Sequence, residues 1–436
     1  MAVADSTTPD AFGEKPFVIE HREALLYMLC QAAELEHGLM CEYLFAAFTL
    51  KERLDEGLTP VQLEAVERWR RVILKVAGQE MLHLALVSNL LSALGMSPHL
   101  VRPNMPHPAH HYPPGVTVTL LPFGENALRH FLFLERPEGA ELADAEVIAA
   151  ARFAVPHVEA SSIAPVLQSF ATVGHLYRSI EAGLEHLVKK WGEARVFVGP
   201  ERAQARPEHF NWPELVRVTD LASALRAVET IVEQGEGPRG DWRTAHFGQF
   251  KTVLDEYLVL KATDPHFEPA RPALHATVWP SESNAETGSL PQITHPETAG
   301  VADLFNVGYE ILLQVLSRFF NNIDETDAEL AALSDVAVGL MFEVISTLGR
   351  YLTELPAGAE YPGRTAGPSF ELFYTSDYLL PHHDAAWMLL EERIRAAASF
   401  ARGLPNAGAA PLVAAAASLD RFADRLTSHL APRPRG

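Results

Sequence analysis

From residue 20 to residue 53 the sequence contains no proline, and Leu25, Leu29, Ala32, Met40, Tyr43 and Ala47 return at the spacing of one helix face. A second such pattern, from about Pro60 to Leu94, carries Ile73, Val76, Ala77, Leu84, Val87 and Leu91 and is stopped by Gly95 and Pro98. Two helices this long, joined by a short link, leave an antiparallel pair as the natural start of the fold. Any sheet must come later.

Both apolar stripes are interrupted by ionisable groups near mid-helix. Glu36 fills the turn missing between Ala32 and Met40, and Glu80 with His83 occupies the central turn of the second stripe. A buried carboxylate without compensation would rather take up a proton, so a repeated placement calls for positive charge, which a metal cation supplies. Taken singly, each residue reads equally as a flanking glutamate paired with Arg or Lys, or as a satisfied core histidine. Together on neighbouring helices they read as half of a two-metal bundle site, built from a Glu on each of two helices and a Glu-x-x-His on each of the others. Glu80, with two oxygens, is the natural bridge.

A third helix, roughly Ser169 to Lys190, offers Glu181 on its apolar side and His175 before it, with Glu185 and His186 further round on the surface side. Glu181 is preferred as ligand because it keeps the recipe. On a fourth helix, preceded by Asp241 as cap, His246 stands before Phe247 and Phe250, but the residue three before it is Arg243. A second Glu-x-x-His is therefore absent, and Glu236 or Glu233, from the end of the helix over 219–235 capped by Thr219 or Asp220, is expected to supply the missing carboxylate. Tyr43 and Tyr177, a turn or two from the ligands, are candidate catalytic groups as hydrogen-bond donors or redox partners. Core packing is the alternative role for both.

The remaining chain organises around this site. RPNMPHPAHHYPPGVTVTLLPF reads as an extended crossover with a strand in VTVTL, and His107, His110 and His111 read as a solvated loop. A proline-rich and polar span over 264–297 separates residues 1–263, the metal-binding domain, from a helical region over 298–436. With 48% hydrophobic residues the chain can fill real cores, while a formal charge of -21 repels phosphate backbones and anionic lipid, so neither nucleic acid nor membrane is expected as a partner. Unbroken apolar runs end before the roughly 20 residues a membrane helix needs, and the N-terminus lacks a signal-like pattern, so a cytoplasmic protein is expected. Cys30 and Cys41, eleven apart on one helix, are held about 16 Å apart and do not pair. No GxSxG, P-loop or dinucleotide fingerprint stands between a strand and a helix.

The segments ELEHGLMCEYLFAAF and QEMLHLALVSNLLSALG, followed by TVGHLYRSIE, LASALRAVETIVEQGEG and HFGQF, resemble in order and spacing the ferritin-like domain related to iminophenyl-pyruvate dimer synthases, over about residues 20 to 260. YEILLQVLSRFF and TAGPSFE resemble the extension that follows it. The resemblance implies a mainly α fold, a ferritin-like four-helix bundle with crossover insertions followed by a C-terminal helical region. It carries metal ligation onto Glu36, Glu80 and His83, then His246, then Glu181 and Glu236. Iron is the implied cofactor, as one or two ions, with manganese as the alternative, because mixed carboxylate and imidazole ligands with open positions suit oxygen activation. The expected function is a metal-dependent oxidoreductase, an oxidase or oxygenase, that combines O2 with a small, amino-acid-derived substrate in natural-product biosynthesis. A non-catalytic metal-binding or storage protein is the alternative, and a homodimer is left open.

Overall fold

The computed structural model describes residues 16, 19–108, 117–137, 170, 172–237, 241–279, 290–373 and 379–430. The first pair of helices is α1 (Arg22–Thr49) and α2 (Pro60–Ala93), which pack along their lengths. Thr59 starts α2 with a reciprocal cap: its hydroxyl accepts from the Gln62 N–H while Gln62 accepts from the Thr59 N–H, and Pro60 supplies a preset φ at the first position.

The other half of the bundle is built from four shorter helices: α3 (Glu125–Leu134), α4 (Val173–Trp191), α5 (Leu221–Gly235) and α6 (His246–Thr263). α3 packs on α6 and α4 on α5, while α4 lies against α1 and both α5 and α6 lie against α2. This is the pairing expected when α3 and α4 together form the third member and α5 and α6 the antiparallel fourth. Both members break at one level, where the ends of α3 and α5 meet the starts of α4 and α6. Glu236 documents the junction, because its carboxylate follows α5 and accepts the Gly174 N–H at the start of α4, 2.8 Å away. α5 is capped by Asp220, as expected, but α6 begins five residues after Asp241: its cap is Ala245, and the Asp241 carboxylate instead accepts the N–H of Arg243.

The second helical region contains α7 (Pro296–Phe320), α8 (Asp327–Gly339, continued by a π-helical turn Leu340–Ile345 and by Ser346–Leu352), α9 (His383–Gly403) and α10 (Ala410–Thr427). It covers the outer side of α1. Every residue of α1 from Glu36 to Thr49 is consequently buried, so what reads in sequence as a stripe is a helix enclosed all round. Two glycines permit the close approach: a Cβ on Gly349 would stand 2.7 Å from the ring of Phe48, and one on Gly367 2.4 Å from the ring of Phe45. One continuous hydrophobic core, from Leu25 through Phe305 to Leu426, spans both regions. Residues of the 264–297 span bridge to Leu50 and Thr365 along its described parts.

The crossover carries a minimal antiparallel pair, β1 (His107–Pro108) with β2 (Thr117–Val118); His110 and His111 lie outside the described residues. α7 and the whole of α8 are long and apolar enough, by length and composition, to cross a membrane, a property that scanning for uncharged runs misses because such a helix tolerates a charge or two. In α7 the most apolar window is 72% buried in the core of this fold.

Candidate metal centre

Glu36 of α1, Glu80 and His83 of α2, Glu135 at the end of α3 and His246 at the start of α6 converge in the bundle interior at the level of the helix breaks. They form two triads, Glu36–Glu80–His83 and Glu80–Glu135–His246, in each of which the ligand atoms lie within 4.8 Å of one another. Glu80 belongs to both: its Oε2 is 2.8 Å from His83 Nδ1 and its Oε1 is 2.9 Å from His246 Nδ1. Glu36 Oε2 closes the first triad at 3.4 Å from His83 Nδ1, and Glu135 Oε2 closes the second at 3.5 Å from His246 Nδ1. The two imidazoles stack with centroids 5.5 Å apart. All five side chains are buried.

Two tyrosines repeat this pseudo-symmetry. Tyr43 of α1 donates its hydroxyl to Glu135, and Tyr177 of α4 donates to Glu36. Burial, then the facing carboxylate, pushes each phenol well above its ordinary range, so both remain protonated donors. His83 Nε2 lies 3.1 Å from Gln234 Oε1, which can only accept, so Nε2 carries a proton there and Nδ1 is the nitrogen that faces the centre. Gln234 thus orients this imidazole in the way that partners of metal-bound histidines do.

The five groups compensate one another's charge through shared protons. Burial and the nearby Glu80 raise Glu36 to about 8; burial also raises Glu135, opposed by His246. Burial works against ionised Glu80 too, yet His246 and His83 hold it well below the usual carboxylate range. Burial would lower both imidazoles, but the surrounding carboxylates lift His83 to about 10 and His246 to about 9. Protons alone leave the centre under-satisfied: Glu80 Oε1 and both nitrogens of His246 are buried without a hydrogen-bond partner, although Glu80 Oε1 and His246 Nδ1 stand 2.9 Å apart. Among the described residues no Lys or Arg forms an ion pair with these three carboxylates. Nitrogen and oxygen donors around a shared carboxylate fit a transition metal, one ion or a pair, better than magnesium or calcium, which favour oxygen alone.

Two of the sequence-derived ligands stand elsewhere. Glu181 is half-buried and belongs to neither triad: it lies one turn beyond Tyr177, about 6 Å further along α4, and Tyr177 takes the position facing Glu36. Glu236 caps α4 instead of reaching the centre, and burial raises its carboxyl. The missing carboxylate comes from Glu135, which the sequence reading passed over. Leu128, Phe131 and Glu135 fall on one face at spacings of three and four, so the cue was the same as for Glu36: an acid completing an apolar stripe.

A ferritin-like profile matches residues 29–255, more than half of the chain and the span that holds all five residues. The chain belongs to the ferritin-like family. It is 28% identical over 418 residues to a dichlorochromopyrrolate synthase of Lentzea aerocolonigenes, an alignment covering 88% of this chain and 39% of that protein. It is 27% identical over 375 residues to a 2-imino-3-(indol-3-yl)propanoate dimerase of Chromobacterium violaceum, covering 81% and 34% respectively. The chain therefore spans well under half the length of these relatives. A solved ferritin-like protein from Caulobacter vibrioides aligns with a TM-score of 0.47 and 19% identity, over 74% of this chain and 95% of that one.

Proposed function

We propose that the chain is a metal-dependent oxidoreductase, with iron as the working metal, that acts with O2 on a small amino-acid-derived substrate in natural-product biosynthesis. The observation that carries this reading is Glu80, whose two oxygens face two imidazoles inside two triads with orphaned donor atoms. The names of the two relatives, a synthase of a chlorinated chromopyrrolate and a dimerase of an indolyl imino acid, support the substrate class.

Glu36, Glu80 and His83 would hold one metal ion, and Glu80, Glu135 and His246 a second. When bound, such a metal supplies redox chemistry and open positions for an oxidant. The protein's own residues do the rest. Gln234 fixes the His83 tautomer, and Tyr43 and Tyr177 hold protons against Glu135 and Glu36, beside the place where charge changes. The aromatic wall of Tyr43, Phe131 and Phe250, with centroids 4.7–5.1 Å apart, excludes water on the Glu135 side.

The test is oxygen uptake by the ferrous protein with and without α-imino or α-amino acids bearing aromatic side chains. Substrate-dependent turnover supports the proposal. Metal uptake with a single stoichiometric oxidation, indifferent to every substrate, would favour metal storage instead.

A further inference from the structure

α1 and α2 carry a second concavity on another face. It is a cavity of ≈190 Å³ between the bundle and the C-terminal region, and none of the five residues of the centre lines it. Its roof comes from α7 and from Met341, Phe342 and Ile345 of the π-helical turn in α8. No charged side chain lines it.

Three features mark it as more than a packing defect. Gly78 sits in mid-α2, where glycine is the poorest ordinary helix former, and a Cβ there would meet nothing within 4 Å. No close contact explains this glycine, and its missing side chain leaves the cavity wall open. The π-helical turn is a rare, locally less stable geometry that recurs at functional sites, and its Phe342 stands 69% exposed at the rim. At the polar end, His37 Nε2 and the hydroxyl of Tyr309 are hydrogen-bonded to each other, and that hydroxyl also meets Cys41 Sγ at 3.2 Å. Burial and then the neighbouring Arg102 keep the His37 imidazole well below its ordinary pKa, hence neutral.

The lining chooses the ligand. The wall gives a cation no partner, and Arg102, behind the His37–Tyr309 pair, is already engaged with the carbonyls of Pro103 and Phe370, so a neutral occupant is favoured over an ion. The methionine sulfurs of Met40, Met81 and Met341, with the rings of Phe48 and Trp212, favour an aromatic over an aliphatic occupant. A dry cavity of about 150 Å³ accepts benzene, so this one takes one ring or two fused rings. We propose that the cavity is a binding site for a neutral, one- or two-ring aromatic molecule whose hydrogen-bonding group meets the His37–Tyr309 pair. The site goes beyond the metal centre and stands whether or not that centre binds metal.

The experiment titrates the full chain with the fluorescent probe 1-aminonaphthalene and displaces it with indole. Saturable one-to-one binding is expected, weakened roughly tenfold or more by Gly78→Leu, which projects into the cavity, and unchanged by Glu80→Ala at the centre. Tyr309→Phe should weaken indole more than naphthalene. Circular dichroism checks that Gly78→Leu is folded; if it is not, Met341→Trp reads the same blockage from the opposite wall. Absence of saturable binding, equal binding by a folded blocked variant, or loss of binding on Glu80→Ala would each overturn the assignment.

Discussion

Glu325 in the C-terminal region and Glu80 in the bundle are almost equally buried, at 0% and 1% exposure, yet they are held by different chemistry. Glu325 is paired with Arg318, accepts the Trp387 indole N–H at 3.0 Å and accepts the Ile323 N–H at 3.1 Å. Burial opposes its charge, but these partners keep its carboxyl below the ordinary range. Glu80 meets imidazoles and two further carboxylates, pairs with no arginine or lysine among the described residues, and keeps an orphaned oxygen. Here the carboxylate that serves the fold arrives with an arginine, and the one assigned to the proposed metal site arrives with other ligand donors and an incomplete hydrogen-bond inventory.

Substitutions at the two sites should therefore separate stability from metal content. The largest effect on stability belongs to Arg318→Met, which strands Glu325 and should cost about 3–5 kcal/mol by denaturant unfolding, with metal content unchanged. Adding Glu325→Leu should restore much of that loss, since a fully apolar replacement leaves no charge uncompensated. Glu80→Ala should bring bound metal to background, and in the metal-free protein it also removes the proton-linked stabilisation of His83 and His246, a loss that should vanish above about pH 10. Should Arg318→Met lose metal as well, the contrast between the regions would be wrong.

A smaller effect is expected outside the ligand set. Gln234→Leu frees the His83 tautomer and should reduce metal affinity by about 10- to 100-fold in competition with a chelator, without unfolding the protein. Gly78→Ala, with room for its methyl group, should raise stability by about 1 kcal/mol.

pH sharpens the same comparison. In the metal-free protein His83 and His246 are raised to about 10 and about 9, from an ordinary value of 6.5. The folded state thus binds more protons than the unfolded one between those values. Their stabilisation is fully present below pH 6.5 and is lost as pH rises through 9 to 10. Metal must displace the same protons, so its affinity should rise over that interval. Melting curves should show the metal-free protein losing stability from pH 6.5 upward and added metal giving a growing increment.

Much of this was legible in the sequence because long helices advertise their period, and an acid in an apolar stripe is visible without a structure. Glu36, Glu80, His83 and His246 were found in this way, and they meet in space. Glu135 was missed because its helix is short and its partner half, α4, begins only at Val173: the third member of the bundle does not exist as one periodic segment. The same break explains Glu181. A reading that assumes one continuous third helix places the ligand on α4, whereas the carboxylate that reaches the centre ends α3. The enclosure of α1 by α7 and α8, and with it the second cavity, was beyond sequence reasoning because it depends on contacts across more than two hundred residues, such as His37 with Tyr309.

We propose Glu80 as the ligand shared by two metal-binding triads. The most direct test of that proposal is the metal-to-protein ratio of the purified full chain reconstituted with ferrous iron, beside Glu36→Ala, Glu135→Ala and Glu80→Ala variants. Two ions in the parent, one in each terminal-ligand variant and none in Glu80→Ala is the predicted series. Full occupancy in folded Glu80→Ala, or no metal in the parent, would contradict it.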